Sequence, residues 1–194
     1  MSSHGTPKPP TFSELVFSDY ARFRPGKPNW VKVLATCSTT PGVIASVILR
    51  AQQCLFRAGQ VRAANMLRTV GLTLLGADFG PGMDVGTGLL IPHPVGVNIG
   101  YGVKIGNNVS LAAGATAAAR YYDGTGQQDF ATICDNVVIG AHAVLVGGVR
   151  IGVNSVVGAN SVVLTDVPDN TTVMGNPARR VGTREPQADA SNTA

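Results

Sequence analysis

IGYGVK (99–104), IGNNVS (105–110) and LAAGAT (111–116), resumed by ICDNVV (133–138), IGAHAV (139–144), LVGGVR (145–150), IGVNSV (151–156) and VGANSV (157–162), are hexads that each open on an aliphatic residue. A second apolar or small residue follows four places later, at Val103, Val109, Ala115, Val137, Ala143, Val149, Ser155 and Ser161. A period of six is neither the 3.6 of a helix nor the 2 of a half-buried strand. One hexad cannot bury its own apolar face, so successive hexads must stack into a solenoid. The pattern predicts a mainly β fold, a β-helix with three hexads to a coil.

The count fails in two places. Val85 and Ile91 keep the register, but Ile91 to Ile99 takes eight residues, so one corner is widened by two, and His93 lies in it. Between Ala117 and Ile133 the chain runs one hexad plus ten residues, which predicts an external loop over 118–132. Loops ejected from a rigid solenoid are where binding groups gather.

Outward from the solenoid, the expected organisation is an N-terminal arm and α-helical region over 1–75, the β-helix over 76–181 and a polar tail over 182–194. Thr11-x-x-Glu14 is a capping-box signature for a helix reaching Phe23, with Leu15, Val16, Tyr20 and Phe23 apolar. Pro25-Gly26-Lys27-Pro28 breaks it. Residues 42–75, divided at Gly59, hold two helical runs in which Val43, Val47, Leu55, Val61, Met66, Leu67, Val70 and Leu74 return at helical spacing, with Arg50, Arg57, Arg62 and Arg68 expected on the polar face.

Composition bounds the function. With 194 residues, 44% hydrophobic and 13% charged, the chain can bury a core. The net charge of +4 is scattered without a basic run, which speaks against nucleic acid. Cys37, Cys54 and Cys134 have no metal spacing and cannot all pair, which fits a reduced compartment, with the cytoplasm as the default. The segment MSSHGTPKPPTF (1–12) carries no apolar signal core, and Arg50, Arg57, Arg62 and Arg68 interrupt the apolar stretch, so no membrane span is expected.

The hexads, the aspartate of GADFGP, the VGTGLLIPHPVG corner, the external loop and the closing VPDNTTVMGNPARRV resemble the serine O-acetyltransferase-type members of the hexapeptide-repeat, left-handed β-helix acyltransferases, from about Ser18 to Val181. The resemblance implies a homotrimer or dimer of trimers, acetyl-CoA or another acyl-CoA as co-substrate, no metal, and a small acceptor with a hydroxyl or an amine. His93 is then the general base and Asp78 its support. The residues suit this: a hydroxyl is a weak nucleophile, a histidine near neutral pKa can take its proton, and a carboxylate can hold the imidazole tautomer. His93 and Asp78 are fifteen residues apart, close to one eighteen-residue coil, so neighbouring coils can carry them. Read alone, His93 could instead pack in its corner and Asp78 serve the turn before Gly80-Pro81.

For CoA, the resemblance points to Gly140-Ala141 and Gly158-Ala159, small enough for pantetheine to approach the backbone, to Arg179 and Arg180 for its phosphates, which read alone could equally be a solvated pair on the cap, and to the backbone at Ala118 or Ala119 as oxyanion donor. The acceptor positions depart from the family: Pro92 stands where an aspartate precedes the histidine, Asp129 and Phe130 replace an arginine and a histidine at the loop end, and Arg24 stands near a site aspartate's place. Arg24 with Asp129 would be a swapped pair. Serine stays the first named acceptor; a sugar, an amine or a carrier-bound substrate in polysaccharide or specialised-metabolite biosynthesis is the alternative, and a catalytically retired trimeric scaffold the second. His142 reads as a structural or interface residue. With only His93 and His142 in the solenoid, a three-histidine metal site is not expected.

Overall fold

The computed structural model describes residues 9–119 and 128–185. The start of the arm with His4, the middle of the external loop and the tail beyond Glu185 lie outside the described residues. The hexads form three stacked sheets. One contains β1 (Asp78–Phe79), β3 (Asn98–Ile99), β6 (Thr116–Ala118), β9 (Val144–Val146) and β12 (Val162–Val163). The second contains β2 (Asp84–Val85), β4 (Lys104–Ile105), β7 (Thr132–Ile133) and β10 (Arg150–Ile151). The third contains β5 (Ser110–Leu111), β8 (Val138–Ile139), β11 (Val156–Val157), β13 (Thr171–Met174) and β14 (Arg179–Thr183), the last antiparallel to β13 and the other pairs parallel.

The hexad positions explain the core. Ile99, Ile105, Leu111, Ile133, Ile139, Leu145 and Ile151 open their hexads and are buried, as are Val103, Val109, Ala115, Val137 and Ala143 four places later. Each fully buried aliphatic side chain of this size contributes about 1.5–3 kcal/mol, so a stack of coils supplies what one coil cannot. The corners are turned by residues with positive φ. Asn108, Asn136, Asn154, Asn160 and Asn170 lie between 54° and 59°, a region asparagine enters more readily than most side chains. His142 takes the same conformation at φ 55° and is exposed.

The helical region consists of α1 (Phe12–Phe23), α2 (Trp30–Cys37), α3 (Pro41–Arg57) and α4 (Val61–Leu75). The capping box is present, with Glu14 accepting from the Thr11 backbone at 2.7 Å and Thr11 accepting from the Glu14 N–H at 3.3 Å. Helix α2 was not expected; Asn29 caps it by accepting from the Lys32 N–H at 2.9 Å, and only Val33 of its eight residues is buried. Two further expectations are corrected. Arg50 is not on a polar face but fully buried, because Asp19 of α1 meets it there. The apolar stripe of α4 faces outward, with Met66 and Leu74 each 70% exposed, because the helix packs through Ala64 and Gly71, whose small size allows close approach.

Arg50 ties the two regions together. Its Nε and Nη2 donate to the two Asp19 oxygens at 2.8 Å each, and its remaining donors reach the carbonyls of Val85 and Gly86 at 2.9 and 2.6 Å and the Gln53 side-chain oxygen at 2.9 Å. Asp19 also accepts from the Leu89 N–H at 2.8 Å. Burial pushes the Asp19 carboxyl above its usual range, and Arg50 opposes that rise. The clamp fixes α1 and α3 on the coil that leads into the widened corner. Among the described residues, no helix is long and apolar enough to cross a membrane.

Candidate active site

The strand register locates both irregularities. Asp78 pairs with Asn98, twenty positions on, Asn98 with Thr116, eighteen on, and Thr116 with Val144, twenty-eight on. The two extra residues sit in the corner holding Pro92 and His93, and the ten extra in the external loop. Pro92 and His93 are exposed, while Pro94 is buried and its carbonyl accepts from the Val97 N–H at 3.0 Å, closing the turn behind the histidine. Within the described residues the His93 ring forms no hydrogen bond.

The corner belongs to an edge that runs the length of the solenoid. The Gly114 N–H donates to Val95, that of His142 to Ala113 and that of Asn160 to Ala141, at 3.0, 2.8 and 2.8 Å. Val95, Ala113, Ala141 and Ala159 are therefore successive rungs, with His93 two residues ahead of the first. Ala141 is half-buried and Ala159 exposed on this edge. The glycines beside them also have a packing reason. A Cβ at Gly140 would lie 2.5 Å from the Ala159 nitrogen, and one at Gly158 would lie 2.6 Å from the Met174 side chain.

On the outer face of the first sheet, from Asp78 and Asn98 to the corner at Tyr101 that follows the strands, opens a cavity of about 420 Å³. It gathers Asp78, Ala118, Ala119 and Phe130 from the sequence-derived set, and adds Arg68, Asn98 and Tyr101, which sequence reasoning had not assigned to a site. Phe130 packs edge-on to Tyr101 with centroids 4.7 Å apart, and its ring fills the space above Gly102 that a side chain there would need. The Tyr101 hydroxyl donates to Gln128 at 2.9 Å, fastening the loop end to the coil.

Asp78 is held by Arg68, whose Nε and Nη2 donate to its two oxygens at 2.5 and 2.7 Å. This hydrogen bonding raises the Arg68 pKa further above its already high value. The carboxylate is thus engaged with α4, and no bond joins it to His93 among the described residues. Arg24 and Asp129 are both exposed, and the ion pairs of the described residues do not include them together. Arg179 and Arg180 are exposed on β14, away from the cavity, and Arg179 donates to its neighbour Ala178 at 2.9 Å.

Comparison with known proteins agrees with this architecture. A family described as bacterial transferase hexapeptide (six repeats) matches residues 130–165. A serine acetyltransferase of Bacillus subtilis is 34% identical over 160 residues, covering 81% of this chain and 70% of the relative. The chain belongs to the serine acetyltransferase family of hexapeptide-repeat transferases. Among solved structures, the serine acetyltransferase of Neisseria gonorrhoeae superposes with a TM-score of 0.78 at 29% identity, over 91% of this chain and 68% of the other. A soybean serine acetyltransferase complexed with serine gives 0.76 at 32% identity, over 88% and 69%. A serine acetyltransferase in complex with CoA gives 0.76 at 26%, over 88% and 69%. The fold is accordingly the left-handed parallel β-helix with an N-terminal helical region. The chain spans 27%, 62% and 46% of the lengths of three further relatives, a mitochondrial serine acetyltransferase from Arabidopsis thaliana, one from Synechococcus elongatus and a second from Arabidopsis.

Proposed function

We propose that this protein transfers an acetyl group from acetyl-CoA to the hydroxyl of a small acceptor, with L-serine the first candidate. One observation carries the reading: the widened corner bearing His93 lies on the same edge as Ala141 and Ala159, and the first sheet, which follows that edge, carries a cavity lined by Asp78, Ala118, Ala119 and Phe130. The relatives named for serine acetylation, and the related structure in complex with CoA, support donor and acceptor class.

In this mechanism the thioester lies along the edge, with pantetheine against Ala141 and Ala159. His93 takes the acceptor's proton as its oxygen attacks the carbonyl carbon. A backbone N–H at Ala118 or Ala119 stabilises the oxyanion. The intermediate collapses by breaking the carbon–sulfur bond, and the imidazolium returns the proton to the departing thiolate, leaving an ester and free CoA. Asp78 serves from the neighbouring coil. An ionised carboxylate has about four acceptor sites, Arg68 uses two, and one of the others is available to the second nitrogen of His93. Arg179 and Arg180 attract the CoA phosphates from the cap.

A trimer-based assembly and a cytoplasmic setting complete the proposal. Exposed apolar side chains at Val95, Tyr101, Met66 and Leu74 support assembly, and mass by light scattering tests it. The activity is tested by thiol release from acetyl-CoA against serine, other hydroxy-amino acids, sugars and amines. Acceptor-dependent release with an ester product upholds the reading, and absence of transfer to every acceptor removes it.

A further inference from the structure

The question left by the cavity is what the acceptor carries besides its hydroxyl, and Arg68 answers it within the proposed transfer reaction. Arg68 reaches the cavity from α4 with its side chain 41% exposed. A guanidinium presents five N–H donors in a planar fork. Asp78 takes the Nε and Nη2 edge, and this two-point contact fixes the plane of the group, so the Nη1 edge is presented in one orientation. Asn98, on the strand beside Asp78, lines the same cavity, and its side-chain amide forms no hydrogen bond among the described residues. Arg68 is the one cation among the described lining residues, and Tyr101 and Phe130 form an apolar wall.

We propose that Arg68, with Asn98, receives an anionic group of the acceptor, a carboxylate or a phosphate set beyond the reacting hydroxyl. Asp78 balances the charge of Arg68, so the anion is held through directed hydrogen bonds from a fixed fork more than through net charge. That arrangement selects a planar or tetrahedral oxyanion of defined placement over a neutral analogue of the same shape.

Calorimetry in the presence of CoA tests this on the intact protein, with L-serine against L-serinamide and glucose 1-phosphate against glucose as probes. The wild type is expected to bind at least one anion about tenfold more tightly than its neutral counterpart, a difference of about 1.4 kcal/mol. The pair that shows it identifies the source as amino-acid carboxylate or sugar phosphate. Arg68→Gln abolishes the discrimination while CoA affinity stays unchanged, and Arg68→Lys, which keeps the charge and loses the fork, restores only part of it. Should Arg68→Gln fail to fold, Asn98→Ala, which removes no described side-chain contact, lowers the same ratio. Equal binding of anion and neutral analogue by the wild type overturns the proposal, as does discrimination retained in a folded Arg68→Gln protein. Anion binding without acetyl transfer to any acceptor upholds the receptor and removes the transferase reading, so the two failures are distinct.

Discussion

Replacing Arg50 by methionine keeps much of the side-chain volume and removes every donor of the clamp between the helices and the first coil. Asp19 is then left fully buried with the Leu89 N–H at 2.8 Å, the Gly86 carbonyl loses its 2.6 Å partner, and Val85 keeps only the Gln53 amide at 3.1 Å. Breaking a buried pair from one side costs about 3–5 kcal/mol, a large share of the ~5–15 kcal/mol that stabilises a typical domain. At about 2 kcal/mol per molar urea, the unfolding midpoint should fall by about 1.5–2.5 M. Trp30, the sole tryptophan, stacks on Phe12 at 5.6 Å and reports the transition by fluorescence at fixed protein concentration. The loss carries a pH signature. Burial already raises the Asp19 carboxyl and Arg50 opposes the rise; without Arg50 the folded-state value goes up further. A carboxyl raised in the folded state stabilises below its unfolded value and loses that contribution as pH rises through the folded value, so the variant is less impaired in acid than in alkali. Arg50→Met with Asp19→Leu should recover part of the loss, since no buried charge is then uncompensated although the Gly86 carbonyl and the Leu89 N–H stay unpaired. A midpoint shift below about 0.5 M, or a double variant no better than the single one, would refute the clamp.

Other expectations follow from local geometry. Gly140→Ala puts a Cβ 2.5 Å from the Ala159 nitrogen; the coils must part, so we expect about 1–3 kcal/mol of destabilisation and weaker CoA binding, measured by denaturation and calorimetry. Phe130→Ala removes the contact with Tyr101 and opens the cavity; the acceptor KM should rise several-fold while the acetyl-CoA KM holds. Burial raises the Cys134 thiol, with Arg150 opposing, so alkylation by iodoacetamide at neutral pH should be slower than for free cysteine and should accelerate at higher pH than a free thiol does.

The solenoid was legible because a period of six leaves one physical solution, and the structure buries the first and fifth hexad positions. The corner at His93 and the external loop were legible by the same counting, since a rigid coil converts any miscount into a bulge or an excursion. Arg50 was misread for an equally physical reason. Helical periodicity assigns a charged side chain to solvent, and only the fold reveals that Asp19, thirty-one residues earlier, meets it inside. Helix α4 shows the converse, its contacts resting on Ala64 and Gly71, which carry almost no hydrophobic signal. The Arg68–Asp78 pair required the packing of α4 against β1, an orientation that spacing along the chain does not encode.

The base decides whether the solenoid edge is an acyl-transfer site. His93→Ala should lower kcat for acetyl transfer by about 10²–10⁴-fold while CoA affinity by calorimetry stays unchanged, because His93 is exposed in its corner and holds no described partner. Transfer at the wild-type rate in that variant would contradict the mechanism.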